Sequence, residues 1–386
     1  MSVEAKKLKS SETRYVARVR GANGKARKKT FRKKGDAQRW EREILLKRDQ
    51  GQWADLRGKT LEILLNDYID NTEHNWEQKT IDGYTAIKKQ VVAEIGHIKL
   101  DKLRPMDFQS YYTTKLKTLS AKTVYNHYRF LHGAFNWGLK QQLVYYYIVA
   151  KTTPPKVPKT EQAALDIDEA RALIKAVKDD KRYYIPVLLG LAMGLRLGEA
   201  YGLRWQDVDL DNEALQIRQA LQRTSAGLRF TSPKSDTSKR LLTIPPSVVA
   251  ELKQHRVRQL RQKLLMGNKH EDYDLVNCQA NGKPWSVDNI SKDFTGLARE
   301  ALTEYEKKKK KKYQRKGEVQ KITFHNLRHT NVTLLMEANI HSLKISKWVG
   351  HADTRLVDEV YAHVRRGDQK EITQEVERSL FGLGNN

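Results

Sequence analysis

Hydrophobic and polar residues alternate in two short stretches near the start of the chain, at the spacing of half-buried strands. Residues 15–20 form the first stretch and residues 26–32 the second, with a glycine-containing turn at 21–24 between them. Residues 37–46 then carry apolar side chains at helical spacing. The pattern predicts a small sheet backed by one helix in the N-terminal segment.

Helical periodicity dominates the next segment. Thr60 is a predicted N-cap for a helix at 61–72, because its hydroxyl can accept from an unpaired N–H group of the first turn. Three further helices are predicted at 80–92, 104–117 and 120–141. Aromatic residues recur through them, and most are assigned to the core of a helical bundle.

A stretch rich in proline and lysine, residues 151–159, follows the bundle and has the composition of a stiff, extended linker. The remainder of the chain mixes both periodicities. Helices are predicted at 166–177, 185–195 and 248–265, and strands of a small antiparallel sheet at 215–218, 228–231 and 239–244. The predicted fold class is therefore multidomain α+β.

Charge points to the class of partner. The 386-residue chain has a formal net charge of +26. An excess of this size indicates a polyanionic partner, and nucleic acid is the first expectation because phosphate neutralisation releases counterions. An anionic membrane surface is the second, but no segment combines a basic face with an aromatic face. The longest apolar run, residues 185–195, is too short to span a bilayer.

Cys278 is the only cysteine, which excludes an intrachain disulfide and a multi-cysteine metal site and suits a reducing cytosol. Residues 1–9 are charged and lack an apolar core, so no signal peptide is predicted. These features predict a cytoplasmic protein.

Basic side chains are concentrated in the first 57 residues, which hold 18 Lys and Arg against 7 Asp and Glu. Arg18, Arg20 and Lys28 lie on the two predicted strands, and a basic two-stranded ribbon can enter a DNA groove. A solvated surface hairpin is the alternative. In the helical bundle, Lys122 and Arg129 are the candidates for phosphate contact.

The first candidate for chemistry directly follows the apolar helix. Gly194 allows a tight stop, which places Arg196 at the entry to the next helix. Glu199 lies three residues later on the same face and can hold the guanidinium in place. Taken alone, such a pair is more often a structural ion pair than part of a catalytic site.

A second candidate opens a later helix. His325 and Arg328 share a face of a helix that Thr323 is predicted to cap, and a helix N-terminus favours bound anions. Metal binding by His325 and His329 is the competing interpretation. It lacks a third ligand, and Asn326 stands where the metalloprotease pattern requires Glu.

Three further residues complete the set of candidates. Lys234 lies on a predicted hairpin, where a lysine can donate a proton or hold a phosphate, although alone it is an ordinary turn residue. Tyr361 follows His351 by ten residues. A phenol has a pKa near 10, so as a nucleophile Tyr361 needs guanidiniums and a histidine to stabilise the developing charge.

These motifs together resemble those of the tyrosine recombinases, of the integrase type carried by phages and conjugative transposons. That family has Arg, Lys, His-x-x-Arg, a second His or Trp, and Tyr in this order. The matching residues are Arg196, Lys234, His325, Arg328, His351 and Tyr361. Glu199 matches the acidic residue that the family places beside the first arginine. The lysine run at 307–312 departs from the pattern and is interpreted as a solvated insertion.

The resemblance implies a division into four segments. Residues 1–57 would form an arm-type DNA-binding domain with a three-stranded sheet and a helix, and residues 58–150 a helical core-site DNA-binding domain. Residues 151–162 would be a linker. Residues 163–386 would form a mostly α-helical catalytic domain with a small antiparallel sheet.

The resemblance also implies the reaction. Tyr361 attacks the scissile phosphate and leaves a 3′-phosphotyrosine and a free 5′-hydroxyl. Arg196 and Arg328 stabilise the pentavalent charge, and Lys234 protonates the leaving 5′-oxygen.

Two histidines assist in this scheme: His325 as general base or hydrogen-bond donor, and His351 as a ligand of a nonbridging oxygen. Because the phosphotyrosine stores the energy of the broken bond, no ATP, metal ion or other cofactor is expected. The protein would integrate or excise a mobile element.

The partners implied are double-stranded DNA with core and arm sites and three further copies of the chain, since strand exchange needs a homotetramer on two DNA sites. A directionality factor and a host DNA-bending protein are further candidate partners. The protein itself is expected to be associated with the nucleoid of a bacterial host. Residues 371–381 are predicted to form an amphipathic helix that docks on a neighbour or packs on its own domain.

Two other functions remain open. A type IB topoisomerase would relax supercoils as a monomer, and the arm-like N-terminal segment argues against it. A basic DNA-binding protein could keep the fold without the chemistry, and the complete catalytic set argues against that.

Overall fold

The computed structural model describes residues 3–7, 12–20, 26–49, 58–144, 146–158, 163–232, 239–308 and 321–350. The chain divides into two compact units, residues 1–159 and 160–386.

A small sheet backed by one helix opens the first unit, as predicted. The antiparallel strands β1 (Val3–Lys7), β2 (Thr13–Arg20) and β3 (Ala26–Phe31) lie in the order β1-β2-β3, and helix α1 (Lys34–Asp49) follows. Trp40 of α1 packs its ring against Phe31 at 5.9 Å between centroids.

The sheet separates an apolar face from a basic one. Along β2, Ala17 and Val19 are buried, whereas Arg18 and Arg20, which alternate with them, are exposed. Lys28 is the Cα partner of Arg18 on the neighbouring strand, and directly opposed residues share a face. The three basic residues predicted to bind DNA therefore lie on one side of the sheet.

A helical bundle makes up the rest of the first unit. Its helices are α2 (Leu61–Thr72), α3 (Gln78–Ile95), α4 (Pro105–Leu116) and α5 (Ala121–Lys140). Thr60 caps α2, and its hydroxyl accepts from the backbone N–H of Ile63 at 3.4 Å. Lys122 and Arg129 are exposed on α5, seven residues apart and so on the same side of the helix.

Helices also dominate the second unit. They are α6 (Ile167–Ala176), α7 (Tyr184–Met193), α8 (Leu197–Gly202), α9 (Pro246–Met266), α10 (Val287–Lys308), α11 (Phe324–Glu337) and α12 (Ser342–Val349). The apolar helix α7 is largely buried in the core of this unit, as its composition predicted. Helix α10 was not predicted, although its buried residues Ile290, Phe294 and Ala298 do recur every four positions.

Two small sheets replace the single sheet predicted for this unit. Strands β4 (Val208–Asp209), β5 (Ala214–Gln216) and β8 (Leu241–Thr243) form an antiparallel sheet, whereas β6 (Ala220–Thr224) and β7 (Gly227–Thr231) form a separate hairpin. A two-residue loop joins Thr224 to Gly227, whose φ is +97°. Such a tight turn pairs β7 with its immediate neighbour in sequence.

Within the described ranges, every helix is too short or too polar to cross a lipid bilayer.

Candidate active site

Arg196 lies at the junction of α7 and α8. Helix α7 ends at Gly194, whose φ of +65° lies in the left-handed region that favours glycine. A Cβ atom at Gly194 would also lie 2.9 Å from Oδ1 of Asn331. The chain turns here, and Arg196 becomes the N-cap residue of α8.

The backbone of helix α8 packs directly against the backbone of strand β6. A Cβ atom at Gly198 would lie 2.7 Å from the carbonyl oxygen of Leu221, and one at Gly202 would lie 2.7 Å from the Leu221 nitrogen. Neither position has room for a side chain, so these two glycines set the position of the helix that begins at Arg196.

Glu199 contacts Arg196 twice, as the spacing predicted. Nη1 of Arg196 donates to Oε1 of Glu199 at 2.7 Å, and the Arg196 backbone N–H donates to Oε2 at 3.0 Å. The carboxylate is 4% exposed. Burial alone would raise the pKa of Glu199, but the guanidiniums of Arg240 and Arg196 lower it below its usual value. Glu199 is therefore ionised and holds the guanidinium of Arg196.

Arg240 is a member of this cluster that the sequence analysis did not select. Its Nη2 donates to Oε2 of Glu199 at 2.9 Å, and its Nε donates to the Trp348 carbonyl at 2.9 Å. The sequence contains one signal for it: Arg240 is in phase with Leu242 and Ile244, the inward positions of its strand. A basic residue at an inward position needs a buried partner.

Arg328 is a fully buried arginine, only 2% exposed. Its Nη1 donates to the Gly194 carbonyl at 2.8 Å, two residues before Arg196. Its Nη2 is also buried and has no hydrogen-bond acceptor among the described residues. Burial and the nearby positive charge of Arg196 lower the pKa of Arg328 to about 9. The guanidinium is still charged at neutral pH and lies in a site that favours an incoming anion.

Helix α11 is fixed in place by side chains on both sides of Arg328. Asn326 accepts from the Thr323 backbone N–H at 2.7 Å in a capping box, and its amide nitrogen donates to the Ala163 carbonyl at 2.7 Å. The Asn331 amide donates to the Leu191 carbonyl near the end of α7 at 2.9 Å. Because α7 also leads to Arg196, these contacts bring the two arginines together.

His325 and His329 stack edge to face one turn apart on α11, with ring centroids 4.7 Å apart. Burial, Arg328 and Arg196 lower the pKa of His325, and burial, His325 and Arg328 lower that of His329 to about 4. Both rings are therefore neutral at pH 7, and a neutral imidazole can accept a proton. Within the described ranges, no group of three or more His, Cys, Asp or Glu side chains is arranged to hold a metal ion.

The lowered pKa of His329 predicts a loss of stability in mild acid. Above pH 6.5 the ring is neutral in the folded and unfolded chain, but between pH 6.5 and about 4 only the unfolded chain takes up the proton. The free energy of unfolding, measured with urea, should fall from pH 7 to pH 5. We expect His329→Gln to reduce that fall. An equal pH dependence in the variant and the wild-type chain would contradict the assignment.

Lys234, His351 and Tyr361 lie outside the described residues. Gly350, directly before His351 in sequence, accepts from Nη2 of Arg196 at 3.3 Å. The structure therefore brings together Arg196, Glu199, His325 and Arg328 and adds Arg240. The chemical roles of all the candidate residues stay predictions.

Comparison with known proteins identifies the family. The model of the phage integrase family matches residues 163–367, more than half of the chain, and the model of a phage integrase N-terminal SAM-like domain matches residues 60–116. A tyrosine recombinase XerC-like protein of Caldanaerobacter subterraneus is 24% identical, with 89% of this chain and 90% of the relative covered. The integrase of Staphylococcus phage L54a is also 24% identical, over 89% of this chain and 99% of the relative.

Solved structures agree on the fold. The Tn1549 transposon integrase in complex with transposon right end DNA superimposes with a TM-score of 0.67 and 19% identity, over 83% of this chain and 99% of the other. A lambda integrase dimer bound to a core site gives a TM-score of 0.56 and 17% identity, over 78% and 95%. The fold, the family models and the order of the motifs agree, and the chain belongs to the phage integrase family of tyrosine recombinases.

Proposed function

We propose that this chain is a site-specific DNA recombinase, an integrase that cuts and rejoins DNA through a 3′-phosphotyrosine to insert or excise a mobile element. The observation that carries the proposal is the buried guanidinium of Arg328. One of its nitrogens has no acceptor among the described residues, and Arg196 lies nearby. A buried cation of this kind is costly unless an anion joins it, and a scissile phosphate supplies that anion.

The order of the motifs, together with the neighbouring guanidiniums of Arg196 and Arg328, supports a division of roles around that phosphate. Arg196 and Arg328 neutralise charge that grows as the phosphorus becomes five-coordinate. The phenolic oxygen of Tyr361 attacks the phosphorus, and the bond to the 5′-oxygen of the next nucleotide breaks. Lys234 supplies the proton to that oxygen, and His351 binds a nonbridging oxygen. Rejoining is the reverse reaction with a new 5′-hydroxyl as nucleophile.

His325 fits the role of proton acceptor from Tyr361. Its lowered pKa keeps the ring neutral at pH 7, so it can accept a hydrogen bond or a proton beside the two arginines. Those arginines also favour the phenolate form of the nucleophile, because they stabilise its negative charge.

The N-terminal sheet is proposed to bind arm-type DNA through its basic face. The chain offers a test in two adjacent lysines: Lys28 pairs with Arg18 on the basic face, and Lys29 pairs with the buried Ala17 on the face opposite. Lys28→Ala should reduce the slope of log affinity against log salt concentration by about 0.9, the effect of one lost phosphate contact. Filter binding or fluorescence anisotropy on arm DNA measures this slope.

Lys29→Ala is the matched control, because it removes the same charge from the other face of the sheet. The slope should stay at the wild-type value. Equal slopes for the two variants would mean that the basic face does not make the contact. Neither substitution should change the rate of strand cleavage, because neither residue belongs to the cluster around Arg328.

The assembly is proposed by analogy with a relative. One solved structure shows a lambda integrase tetramer bound to a Holliday junction, with a TM-score of 0.55 and 16% identity to this chain. We infer that four copies of this chain act on two DNA sites. A directionality factor and a host DNA-bending protein would set the direction of the reaction. Light scattering of the purified complex with DNA measures the number of copies.

The other two functions are not favoured. The relatives and neighbours are named as recombinases, integrases and transposases. A type IB topoisomerase would relax supercoiled plasmid that lacks any recombination site, and a non-catalytic binding protein would leave no covalent adduct.

The decisive experiment traps the intermediate. Purified protein is incubated with sheared DNA from the host and the mobile element, quenched with detergent, and digested with protease. The DNA that remains attached to peptide is sequenced, and the peptide is identified by mass spectrometry. We expect one defined sequence, linked through its 3′ phosphate to Tyr361. Adducts at scattered sequences would support the topoisomerase, and no adduct would support the binding protein.

A further inference from the structure

A second arginine shares the carboxylate that holds Arg196. Oε1 of Glu199 accepts from Nη1 of Arg196 at 2.7 Å and from Nη1 of Arg240 at 3.3 Å, while Oε2 accepts from Nη2 of Arg240 at 2.9 Å. Arg240 thus forms a two-point pair with Glu199, the strongest geometry open to a guanidinium and a carboxylate. Its side chain is 5% exposed, whereas that of Arg196 is 36% exposed. Arg240 is the buried partner of Glu199, and Arg196 is the accessible one.

The backbone of Arg240 is equally constrained. Its carbonyl accepts from the N–H of Ile217 at 2.9 Å, which extends the pairing of β5 with β8. Its Nε donates to the Trp348 carbonyl at the end of α12, and Arg196 donates to the Gly350 carbonyl two residues later. Arg240 thus connects the strand that follows the Lys234 segment, the helix that begins at Arg196, and the segment that leads to His351.

From this geometry we propose that Arg240 is a positioning residue, which compensates the charge of Glu199 so that Arg196 can serve the scissile phosphate. The inference rests on the proposed function. A buried carboxylate needs a permanent counter-charge, because removing the only partner leaves an uncompensated charge in the interior. If Arg196 were the only partner, Glu199 would neutralise its positive charge. With Arg240 in place, the cluster of Arg196, Arg240 and Glu199 keeps a net charge of +1 for the phosphate.

The proposal predicts an unusual pattern among substitutions. Arg240→Gln should slow formation of the covalent adduct, because Glu199 then draws Arg196 into an exclusive ion pair. The double variant Glu199→Gln with Arg240→Gln should be faster than Arg240→Gln alone, since the carboxylate that captures Arg196 is gone. If Arg240 served only to stabilise the fold, the double variant would recover melting temperature because no buried carboxylate is left uncompensated, but the adduct rate of each folded variant would stay at the wild-type value.

The test measures single-turnover adduct formation on a nicked duplex that carries the sequence recovered by trapping. We expect Arg240→Gln to be slower than wild type by about ten- to a hundredfold, which is less than the roughly hundred- to thousandfold loss of a direct transition-state donor because Arg240 acts through Arg196. The double variant should recover at least about tenfold of that loss, which corresponds to about 1.4 kcal/mol. Affinity for the duplex should stay within about threefold of wild type, because Arg240 is too buried to contact DNA.

Two further variants separate charge from geometry and from stability. Arg240→Lys keeps the charge but not the two-point pair, and its rate should lie between those of wild type and Arg240→Gln. Arg204→Gln is the matched control, because it removes one guanidinium from Asp207. That carboxylate is as buried as Glu199, at 4% exposure, and it also contacts a second arginine, Arg218. Arg204→Gln should lower the melting temperature and leave the rate unchanged.

The outcomes are distinct. If wild type forms the adduct and Arg240→Gln forms it equally fast, the proposal is wrong and the proposed function stands. If the double variant is no faster than Arg240→Gln, capture of Arg196 by Glu199 does not cause the loss of rate, and the proposal is wrong. Should Arg240→Gln fail to fold, wild-type speed in Arg240→Lys together with a loss in Arg204→Gln would overturn the proposal. A wild-type chain that forms no adduct overturns both the proposal and the function on which it rests.

Discussion

Replacement of Tyr361 by phenylalanine is expected to abolish the covalent adduct and all recombination while the protein still binds its DNA site. The substitution removes one oxygen atom, which is the proposed nucleophile, and keeps the aromatic ring. Phenylalanine carries no nucleophilic oxygen, so the rate should fall by more than about a thousandfold. Adduct formation on the nicked duplex gives the rate, and a gel-shift titration gives the affinity.

Tyr273→Phe is the control for this substitution. Tyr273 also belongs to residues 160–386, its side chain is 43% exposed, and its hydroxyl donates to Glu271. Loss of that oxygen should leave the adduct rate at the wild-type value. An adduct that persists in Tyr361→Phe would assign the nucleophile to another residue, and the peptide attached to the trapped DNA would identify it.

Substitution of Arg328 by methionine is expected to have the second largest effect. It should lower the rate of adduct formation strongly without lowering stability. The rate of adduct formation should fall by on the order of a hundred- to a thousandfold, because the transition state loses a buried guanidinium. Affinity for DNA should fall by no more than about tenfold, since the contact proposed for Arg328 is one of many phosphate contacts expected of a DNA-binding protein.

Stability should be unchanged or higher in Arg328→Met. The wild-type Arg328 residue is 2% exposed, and one nitrogen of its guanidinium has no acceptor among the described residues. Exchange of a poorly compensated buried charge for an apolar side chain of similar length is often neutral or stabilising by about 1–4 kcal/mol. Urea unfolding of the DNA-free protein measures this change.

Arg204→Met gives the opposite pattern and serves as the control. Arg204 donates to the buried Asp207 at 2.7 Å, so its loss removes a direct partner from that carboxylate. We expect lower stability and an unchanged rate. A clear loss of stability in Arg328→Met would mean that the guanidinium is already compensated without DNA, and the main support for the proposed function would be lost.

The elements with local signals were predicted well from the sequence. Helix α2 begins and ends at the predicted residues, because Thr60 marks its start and the apolar spacing marks its length. The stop at Gly194 and the contact between Arg196 and Glu199 also follow from residues close together in sequence. Such features depend on interactions within one or two helical turns, which a sequence pattern records directly.

The features that were missed depend on residues distant in sequence. Arg240 and Glu199 are 41 positions apart, and their pairing requires β8 to lie beside the helix that begins at Arg196. The sequence also does not reveal that Nη2 of Arg328 has no acceptor among the described residues. That property depends on which groups of α7 and α11 surround the side chain. The separate hairpin of β6 and β7 was missed because alternation identifies strands but not their partners.

The close approach of α8 to β6 has a consequence for retargeting this enzyme to new DNA sequences. Because the atoms nearest to Gly198 and Gly202 at that contact belong to the backbone of Leu221, the spacing of the two elements depends mainly on the absence of a side chain at these two positions. Directed evolution could therefore diversify exposed positions elsewhere without shifting the start of the helix from which Arg196 is proposed to contact the phosphate. Libraries that hold these two glycines constant should contain a larger share of active members than libraries that vary them.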